Sequence, residues 1–389
     1  MTKPTTAPRL PLDGVRVVDF SRLLPGPWST QVLGDLGADV IKIEQPGVGD
    51  YSRHNPPNYA KNGVYFSNVN RNKRSVVLDM TNAADRAVAH RLIDRADIAV
   101  ESFRPGVARK LEVDYETVVK RNPRLIYCSL NGFGSEGPLA GMAAHDLSIQ
   151  GLTGLLGKAD VPPPLPGFQA GDYAAAAYAA IAVLAALIRR NSDGRGCHIE
   201  VPMYDSLIAW SQIMLSGAMA RAAGFVGQPE LEVWGRNPRY NTYRTRDGKS
   251  VTVSLLEPHT WKRFCEYIGR PDLMEHDEDW SDRHSDHGEN APAYRQALEE
   301  LCGSLDRDEL CKRMAAAHIP ICPVYGADEV LKSAEARARE VVQWIEHPRD
   351  GRVPLLRDPL ARSGLSDPAR RHAPSLGQHT EEIRREARQ

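Results

Sequence analysis

Short apolar runs alternate with amphipathic stretches along the first 150 residues of the chain. GVRVVDF and DVIKIE flank WSTQVLGDLGA, and SVVLDM, IAVESF and LIYCSLNGFG follow, with a helical stretch from about 83 to 96. Buried parallel strands are short and rich in Val and Ile, and helices connect them. The pattern predicts an open α/β sheet with helices on both faces.

The loops that leave these strands are the expected ligand site. Ligands of open α/β sheets bind beyond the carboxyl ends of the strands. This rule selects the loops that start near Ser21, Glu44, Ser102 and Gly132.

The pattern changes after residue 230. YNTYRTRDGKSVTVSLLE contains two alternating runs around Asp247-Gly248, which indicates a hairpin, and IPICPVYG predicts a strand that returns the chain to a compact body. We predict a large α/β domain at 1–205, a linker helix at 206–230, a small α+β domain at 231–322 and a return segment at 323–389. The residues after Pro348 show few apolar anchors.

Composition excludes several function classes. The 389 residues are 42% hydrophobic and 25% charged with a net charge of −1, so no overall field attracts nucleic acid or an acidic membrane. The six cysteines form no CxxC pair, and no secretory signal is found, which favours reduced thiols and a cytoplasmic location. The apolar run 173–188 is shorter than the ~20 residues that span a bilayer and predicts a core helix.

Asp172 directly precedes the alanine-rich helix AAAAYAAIAVLAALI. It could be a simple helix N-cap, or a catalytic carboxylate. Helix N-terminal N–H groups and the helix dipole stabilise an ionised carboxylate, a state that a nucleophile or base needs. The residues alone leave both interpretations open.

Three further polar residues are candidates for the same site. His145 and Asp146 follow the glycine-rich NGFGSEGP, and Glu257 ends the run VTVSLLE before Pro258. The alternative for the first two is the start of a surface helix capped by Asp146, and a lone Glu at a strand end is usually solvated.

Two basic clusters lie next to predicted strands, one around Lys73 and one around Arg109. Such clusters are usually solvated, but a pair of them beside strand-end loops also suits a phosphate site. The histidines of the acidic loop, His276, His284 and His287, have no metal-ligand spacing, so no metal site is predicted. Gly47 and Gly49 do not form GxGxxG, and GxxxxGK[ST] and GxSxG are missing, which disfavours nucleotide, phosphoryl-transfer and serine-hydrolase sites.

Ordered motifs along nearly the whole chain carry a specific resemblance. They are LDGVRVVDFSRLLPGPWSTQVLGDLGADVIKIEQPGVGD, NRNKRSVVLDM, ADIAVESFRPGVARKL, NPRLIYCSLNGFGSEGP, the GD before the alanine-rich helix, and GRGCHIEVPMYDSL. Together they resemble the family III CoA-transferases, which include the α-methylacyl-CoA racemases. The resemblance implies a Rossmann-like large domain, a smaller α+β domain and an interlocked homodimer.

The resemblance also implies chemistry on acyl-CoA with no permanently bound cofactor. In the transferases, the aspartate of the GD motif, Asp172 here, attacks an acyl-CoA to form a mixed anhydride and then an aspartyl-CoA thioester. A carboxylic acid accepts the CoA, so CoA is a cosubstrate. In the racemases the same aspartate works with a histidine, matched by His145 and supported by a glutamate that Glu257 matches.

Some of these motifs match the transferases and others match the racemases. His145 stands where the transferases have Tyr, which favours a racemase, whereas the long segment 49–75 and Gln150 favour a transferase. We expect CoA transfer, with racemisation of a 2-methylacyl-CoA as the alternative. The family's CoA contacts match Asn72, Lys73, Arg74, Ser102, Phe103 and Lys110, and Gln45 replaces a usual arginine.

Overall fold

The computed structural model describes residues 9–157, 165–227, 231, 235–274 and 282–389. Contacts divide the chain into two compact units, Met1–Trp210 with Ala334–Gln389, and Ser211–Ser333. Each unit has a hydrophobic core of its own. The domain bounds proposed from the sequence stay a prediction.

A six-stranded parallel sheet forms the centre of the first unit, which confirms the predicted α/β class. Its strands are β1 (Arg16–Asp19), β2 (Asp39–Glu44), β3 (Lys73–Val77), β4 (Ile98–Glu101), β5 (Ile126–Asn131) and β6 (Cys197–Pro202). They are arranged in the order β3-β2-β1-β4-β5-β6. Because the order reverses between β1 and β4, the loops after these two strands separate and leave a crevice.

Helices cover both faces of this sheet. They are α1 (Pro25–Asp35), α2 (Val64–Val69), α3 (Ala83–Asp94), α4 (Val107–Lys110), α5 (Tyr115–Val118), α6 (Asp146–Leu152), α7 (Ala170–Asp193) and α8 (Met203–Trp210). Helix α1 begins at Pro25, since proline suits the first helical position. Two apolar clusters, one on each face of the sheet, fill the core.

Helix α7 is the predicted core helix. Its 24 residues are long and apolar enough to cross a bilayer, a test that the core helix of a globular protein also passes. Ala174, Ala175 and Val183 lie in the core cluster beside β5. The buried Arg190 pairs with Asp97 at 2.8 Å, which fixes the far end of the helix to the sheet.

The second unit contains the predicted hairpin. Its strands are β7 (Tyr240–Arg244), β8 (Ser250–Ser254) and β9 (Ile321–Pro323), and its helices are α9 (Gln212–Ala222), α10 (Pro258–Ile268), α11 (Ala291–Ser304), α12 (Arg307–Ala316) and α13 (Ala327–Lys332). Strands β7 and β8 pair antiparallel around the turn at Gly248, where φ is 76°. The strand predicted within IPICPVYG is β9, and it pairs with β8 as the third strand of this small sheet.

The carboxyl-terminal segment is better anchored than its composition suggested. It forms α14 (Ala334–Ala338), the hairpin β10 (Val342–His347) and β11 (Gly351–Leu356), and α15 (Thr380–Glu386). Ile383 is completely buried in the core of the first unit. The backbone N–H of His379 donates to Ser75 O at 2.9 Å and that of Val77 to Thr380 Oγ1 at 3.1 Å. The segment therefore covers the edge of the sheet at β3.

Candidate active site

A cavity of about 750 Å³ lies at the carboxyl end of the sheet, where the strand order reverses. The loops after β1, β4 and β5 line it, together with residues of the segment between β2 and α2. These are the strand-end loops selected from the sequence. The volume is typical of small-molecule sites, which range from about 300 to 1,000 Å³.

Asp172 lines this cavity from the first turn of α7. The helix begins at Ala170 with Gln169 at the N-cap position, so Asp172 does not cap the helix as the alternative interpretation required. Its side chain is half-buried, and no hydrogen bond to its carboxylate is found among the residues that the structure describes. The carboxylate is thus available to a ligand.

Asp146, on the neighbouring helix α6, caps the amino end of α7. Its Oδ1 accepts the backbone N–H of Gly171 at 2.7 Å and that of Asp172 at 3.3 Å. Its Oδ2 accepts the Nε2–H of Gln150, which also donates to Phe168 O at 2.8 Å. Asp146 therefore fixes the start of α7, and with it the position of Asp172.

The glycine of the GD pair has a packing reason. A Cβ on Gly171 would lie 3.0 Å from Ile149 Cγ2 and 3.2 Å from Asp146 Oδ1. Such contacts are too tight for any larger residue without movement of α6. Gly171 thus allows α6 to approach α7 closely enough for the Asp146 cap.

Burial and the negative charge of Asp146 raise the pKa of Asp172 to about 7. The sequence indicated the opposite, a carboxylate held ionised by the helix N-terminus. That prediction was wrong because Asp146 already occupies the N–H groups of this helix end. Asp172 consequently ionises near neutral pH, where its basicity exceeds that of an ordinary aspartate.

His145 lines the same cavity, and Glu257 lies elsewhere in the chain. His145 is exposed and occupies the N-cap position of α6, immediately before Asp146. Glu257 occupies the N-cap position of α10 in the second unit. A joint action of Glu257 with His145 stays a prediction.

Ser102 and Phe103 line the cavity directly after β4. Ser102 Oγ accepts the backbone N–H of Arg22 at 3.0 Å. The backbone N–H of Phe103 donates to Glu101 Oε2 at 2.6 Å, which holds the loop to the end of its strand. Burial raises the pKa of Glu101 to about 7.

Comparison with known proteins identifies the family. The model of CoA-transferase family III matches residues 12–380. The chain belongs to CoA-transferase family III. The acetyl-CoA:oxalate CoA-transferase of Acetobacter aceti is 33% identical, with 99% of this chain and 98% of that protein aligned. The succinyl-CoA:mesaconate CoA-transferase of Haloarcula hispanica is 31% identical over 97% of this chain and 96% of that protein.

Solved structures of similar proteins share the fold. A CAIB/BAIF family protein from Brucella suis superimposes with a TM-score of 0.82 at 31% identity, covering 98% of this chain and all of that one. Rv3272 from Mycobacterium tuberculosis gives a TM-score of 0.82 at 29% identity, covering 97% of this chain and 99% of that chain. The α/β fold of this family III member is therefore shared along its length.

The basic side chain of Lys73 is enclosed. It is fully buried, and its Nζ donates to Asp19 Oδ2 at 3.0 Å, Asn70 Oδ1 at 2.9 Å and Pro27 O at 2.9 Å. An ammonium group has three N–H donors, so none is left for a CoA phosphate. This arrangement argues against the predicted CoA contact.

The neighbouring side chains of Asn72 and Arg74 also bind acidic side chains of the protein. Arg74 pairs with Asp39 at 2.6 Å and Glu386 at 2.7 Å, and Asn72 Nδ2 donates to Asp35 Oδ1 at 2.7 Å. We therefore leave Asn72, Lys73 and Arg74 out of the proposed site. Lys110, at the exposed end of α4, has no ion pair in the described part of the chain and is retained.

Tyr65 and Arg22 are among the cavity residues that the sequence interpretation missed. Burial and the charge of Asp172 raise the pKa of Tyr65 above its usual range, so its hydroxyl stays protonated as a donor. Arg22 is contained in the first quoted motif and Tyr65 in the segment 49–75, but no spacing rule distinguishes either residue. Among the histidines of the acidic loop, His276 falls outside the described residues, and the described part contains no metal-binding group of three or more side chains.

Proposed function

We propose that the chain transfers CoA reversibly from an acyl-CoA to a carboxylic acid with Asp172 as the nucleophile. The observation that carries the proposal is a half-buried carboxylate that lines a cavity of about 750 Å³ and has no hydrogen-bond partner among the described residues. Membership of a transferase family and relatives named for CoA transfer to oxalate and mesaconate support it.

The proposed reaction proceeds through two kinds of covalent intermediate. A carboxylate oxygen of Asp172 attacks the thioester carbonyl carbon, and the C–S bond breaks to give a mixed anhydride and CoA thiolate. The thiolate then attacks the aspartyl carbonyl, which releases the donor acid and leaves an aspartyl-CoA thioester. The acceptor carboxylate repeats these steps in reverse, so that Asp172 is regenerated and no water enters.

Asp146 and Tyr65 have supporting roles in this proposal. Asp146 positions Asp172 by accepting hydrogen bonds from the backbone N–H groups of Gly171 and Asp172. Tyr65, kept protonated beside Asp172, can donate a hydrogen bond to the oxygen that becomes negative during attack. Ser102, Phe103 and Lys110 are the proposed CoA contacts.

Trapping tests the nucleophile directly. During turnover with an acyl-CoA, hydroxylamine or borohydride should modify Asp172, as shown by peptide mass spectrometry. Asp172→Asn is the negative control, and Asp146→Asn, which retains Asp172, should still be labelled. Turnover without a label on Asp172 would refute the proposal.

Racemisation is the second candidate because His145 lines the same cavity as Asp172. A base and an acid on opposite faces of the acyl α-carbon would exchange its proton. This candidate predicts that 2-methylacyl-CoA takes up deuterium from heavy water without any acceptor acid. Unlabelled substrate after extended incubation excludes it.

We further propose a homodimer. Helix α9 contains no buried residue, and Ile213 and Met219 on it are 67% and 62% exposed, followed by Phe225 at 63% and Val226 at 78%. A second copy of the chain would cover this apolar surface, as in the interlocked family members. Light scattering after size-exclusion chromatography should give twice the chain mass, and the mass of one chain would contradict the proposal.

The proposed location is the cytoplasm. All six cysteines are free, including Cys322, which is exposed. Free thiols suit a reducing compartment. Fractionation of cells that express the natural gene tests this location, and recovery in a membrane or secreted fraction would contradict it.

A further inference from the structure

Arg22 is held at the wall of the cavity by two aromatic rings. Its guanidinium carbon lies 5.4 Å from the ring centre of Tyr51 and 5.7 Å from that of Phe103. Its NH1 reaches Tyr51 Oη at 3.4 Å, and its backbone N–H is fixed by Ser102 Oγ at 3.0 Å. The planar head group is therefore oriented without being neutralised.

Arg22 forms no ion pair in the described part of the chain, unlike the other cations beneath the same loops. Lys42 pairs with Asp50 at 2.9 Å and Arg53 with Glu44 at 2.6 Å. Both Asp50 oxygens are engaged, because Oδ1 accepts the N–H groups of Leu23 and Ser52. The buried acids Asp50 and Glu44 thus have partners of their own, and the charge of Arg22 remains for a ligand.

The loop that carries Arg22 is held in an uncommon conformation. Leu23 has φ of 64°, in the left-handed region that a leucine rarely adopts. Its N–H donates to the buried Asp50, so the surrounding structure enforces the conformation. Enforced conformations of this kind are concentrated at ligand sites, and Leu23 itself lines the cavity.

We propose that Arg22 binds the second carboxylate of a dicarboxylic acyl group while the first reacts at Asp172. The inference rests on the proposed function, and it assigns the substrate class to dicarboxylic acids and their CoA monothioesters. A guanidinium matches a carboxylate through two parallel N–H donors, and the half-buried position of Arg22 gives this contact more weight than a fully solvated one.

A CoA phosphate is the other anion that Arg22 could meet. The exposed cations after β4, Arg104, Arg109 and Lys110, are the more suitable phosphate partners, since they lie on a solvated face. Arg22 is half-buried and lines the same cavity as Asp172. An experiment can distinguish the CoA phosphate from the second carboxylate, because every CoA ester has the phosphate and only a dicarboxylic acyl group has the carboxylate.

Binding to an inactive enzyme distinguishes the acyl carboxylate from the CoA phosphate as the partner of Arg22 without any turnover. In an Asp172→Ala background, calorimetry compares succinyl-CoA with butyryl-CoA, which has a methyl group in place of the second carboxylate. Adding Arg22→Gln should weaken succinyl-CoA binding about ten- to hundredfold, the usual loss for a charged hydrogen bond, and butyryl-CoA binding less than about twofold. Equal weakening of both ligands, or no change in either, would overturn the inference.

Two variants control for position and folding. Arg104→Gln removes the other arginine that lines the cavity and should not change the preference for succinyl-CoA over butyryl-CoA. If it abolishes that preference and Arg22→Gln does not, the assignment to Arg22 is wrong. Arg22→Lys keeps the charge and should retain part of the preference, and it serves as the test variant if Arg22→Gln unfolds at a lower temperature.

Turnover distinguishes failure of this inference from failure of the proposed function. With Asp172 intact, Arg22→Gln should lower kcat/KM for glutarate at least about tenfold and leave pentanoate unchanged. A wild type that transfers CoA to both acids with equal efficiency overturns only the inference. A wild type that transfers CoA to no acid refutes the proposed function, and the binding comparison still tests Arg22.

Discussion

Two groups of buried charge lie close together in the first unit, and they differ in how their charges are satisfied. Beneath the loop after β1, Asp19 accepts from Lys73, Ser21 and Thr30, and both it and Lys73 are fully buried. Burial alone would raise the pKa of Asp19, but the charges of Lys73 and Lys42 outweigh it and hold that pKa well below its usual range.

In the candidate active-site cavity, by contrast, Asp172 and Arg22 are not paired with an opposite charge among the described residues. The carboxylate of Asp172 accepts no hydrogen bond, and Arg22 forms no ion pair, within the described residues. Burial therefore raises the pKa of Asp172 to about 7, with Asp146 adding to the effect. The comparison teaches that a satisfied buried charge maintains the fold, whereas an unsatisfied one at a cavity is available for chemistry.

The largest expected effect comes from Asp172→Asn. Transfer activity should fall at least about a thousandfold, because an amide cannot act as the nucleophile. The folded protein should become more stable by roughly 1 to 3 kcal/mol at pH 8, since the native state no longer contains a disfavoured charge. Initial rates and urea unfolding measure the two effects, and a fully active variant would remove Asp172 from the mechanism.

The sign of this stability change follows from the raised pKa. An aspartate with a higher pKa in the folded state destabilises that state increasingly as pH rises from about 4 to about 7. The gain from Asp172→Asn should therefore be near zero at pH 4 and complete above pH 7. A gain that is independent of pH would contradict the assignment.

The second prediction concerns Lys73→Met in the satisfied group. Removing one partner leaves Asp19 buried without its closest cation, which should cost about 3 to 5 kcal/mol in the free energy of unfolding. The acyl-CoA KM of the remaining folded enzyme should change little. Unfolding curves and steady-state kinetics test this, with Asp19→Asn/Lys73→Met as the control, which should cost less than the sum of the single changes. A stable variant with a much higher KM would restore Lys73 as a CoA contact.

The third prediction sharpens the role of Asp146. Asp146→Asn keeps an oxygen acceptor for the N–H groups of α7 but removes the negative charge, so the pKa of Asp172 should fall. The rise of activity with pH should then move to lower pH. Asp146→Ala, which also removes the cap, should lose about 1 kcal/mol of stability in addition. Identical pH profiles for wild type and Asp146→Asn would contradict the electrostatic part of this account.

The smallest effect is expected for Lys110→Ala. An exposed lysine that contacts a solvated phosphate contributes little, so the acyl-CoA KM should rise about two- to tenfold with kcat unchanged. The difference from wild type should shrink with added salt, because salt screens exposed charges. Kinetics at two ionic strengths measure it, and an unchanged KM would leave Lys110 outside the site.

The sequence predicted the sheet and the cavity edge because both follow from local patterns. Runs such as VIKI identify buried strands, and strand ends identify the loops that carry Ser102 and His145. Asp172 was identified by its place before an alanine-rich helix and by the family resemblance.

The burial and ion pairing of Lys73 and Arg74 could not be predicted from local patterns. Lys73 and Arg74 begin the edge strand β3, and such a position usually faces solvent. Here the carboxyl-terminal segment, about 300 residues later, supplies Glu382 and Glu386 to Arg74 and covers the edge. The cap that Asp146 provides to α7 is likewise a contact between separate helices, which the pattern along one helix does not contain.

The pH dependence of covalent labelling at Asp172 tests the central claim most directly. Enzyme mixed with an acyl-CoA is trapped with hydroxylamine at a series of pH values, and the labelled peptide is quantified by mass spectrometry. This account predicts that the label lies on Asp172 and that its rate of formation rises with a midpoint near pH 7. Efficient CoA transfer with no label on Asp172, or labelling that is already maximal below pH 5, would contradict it.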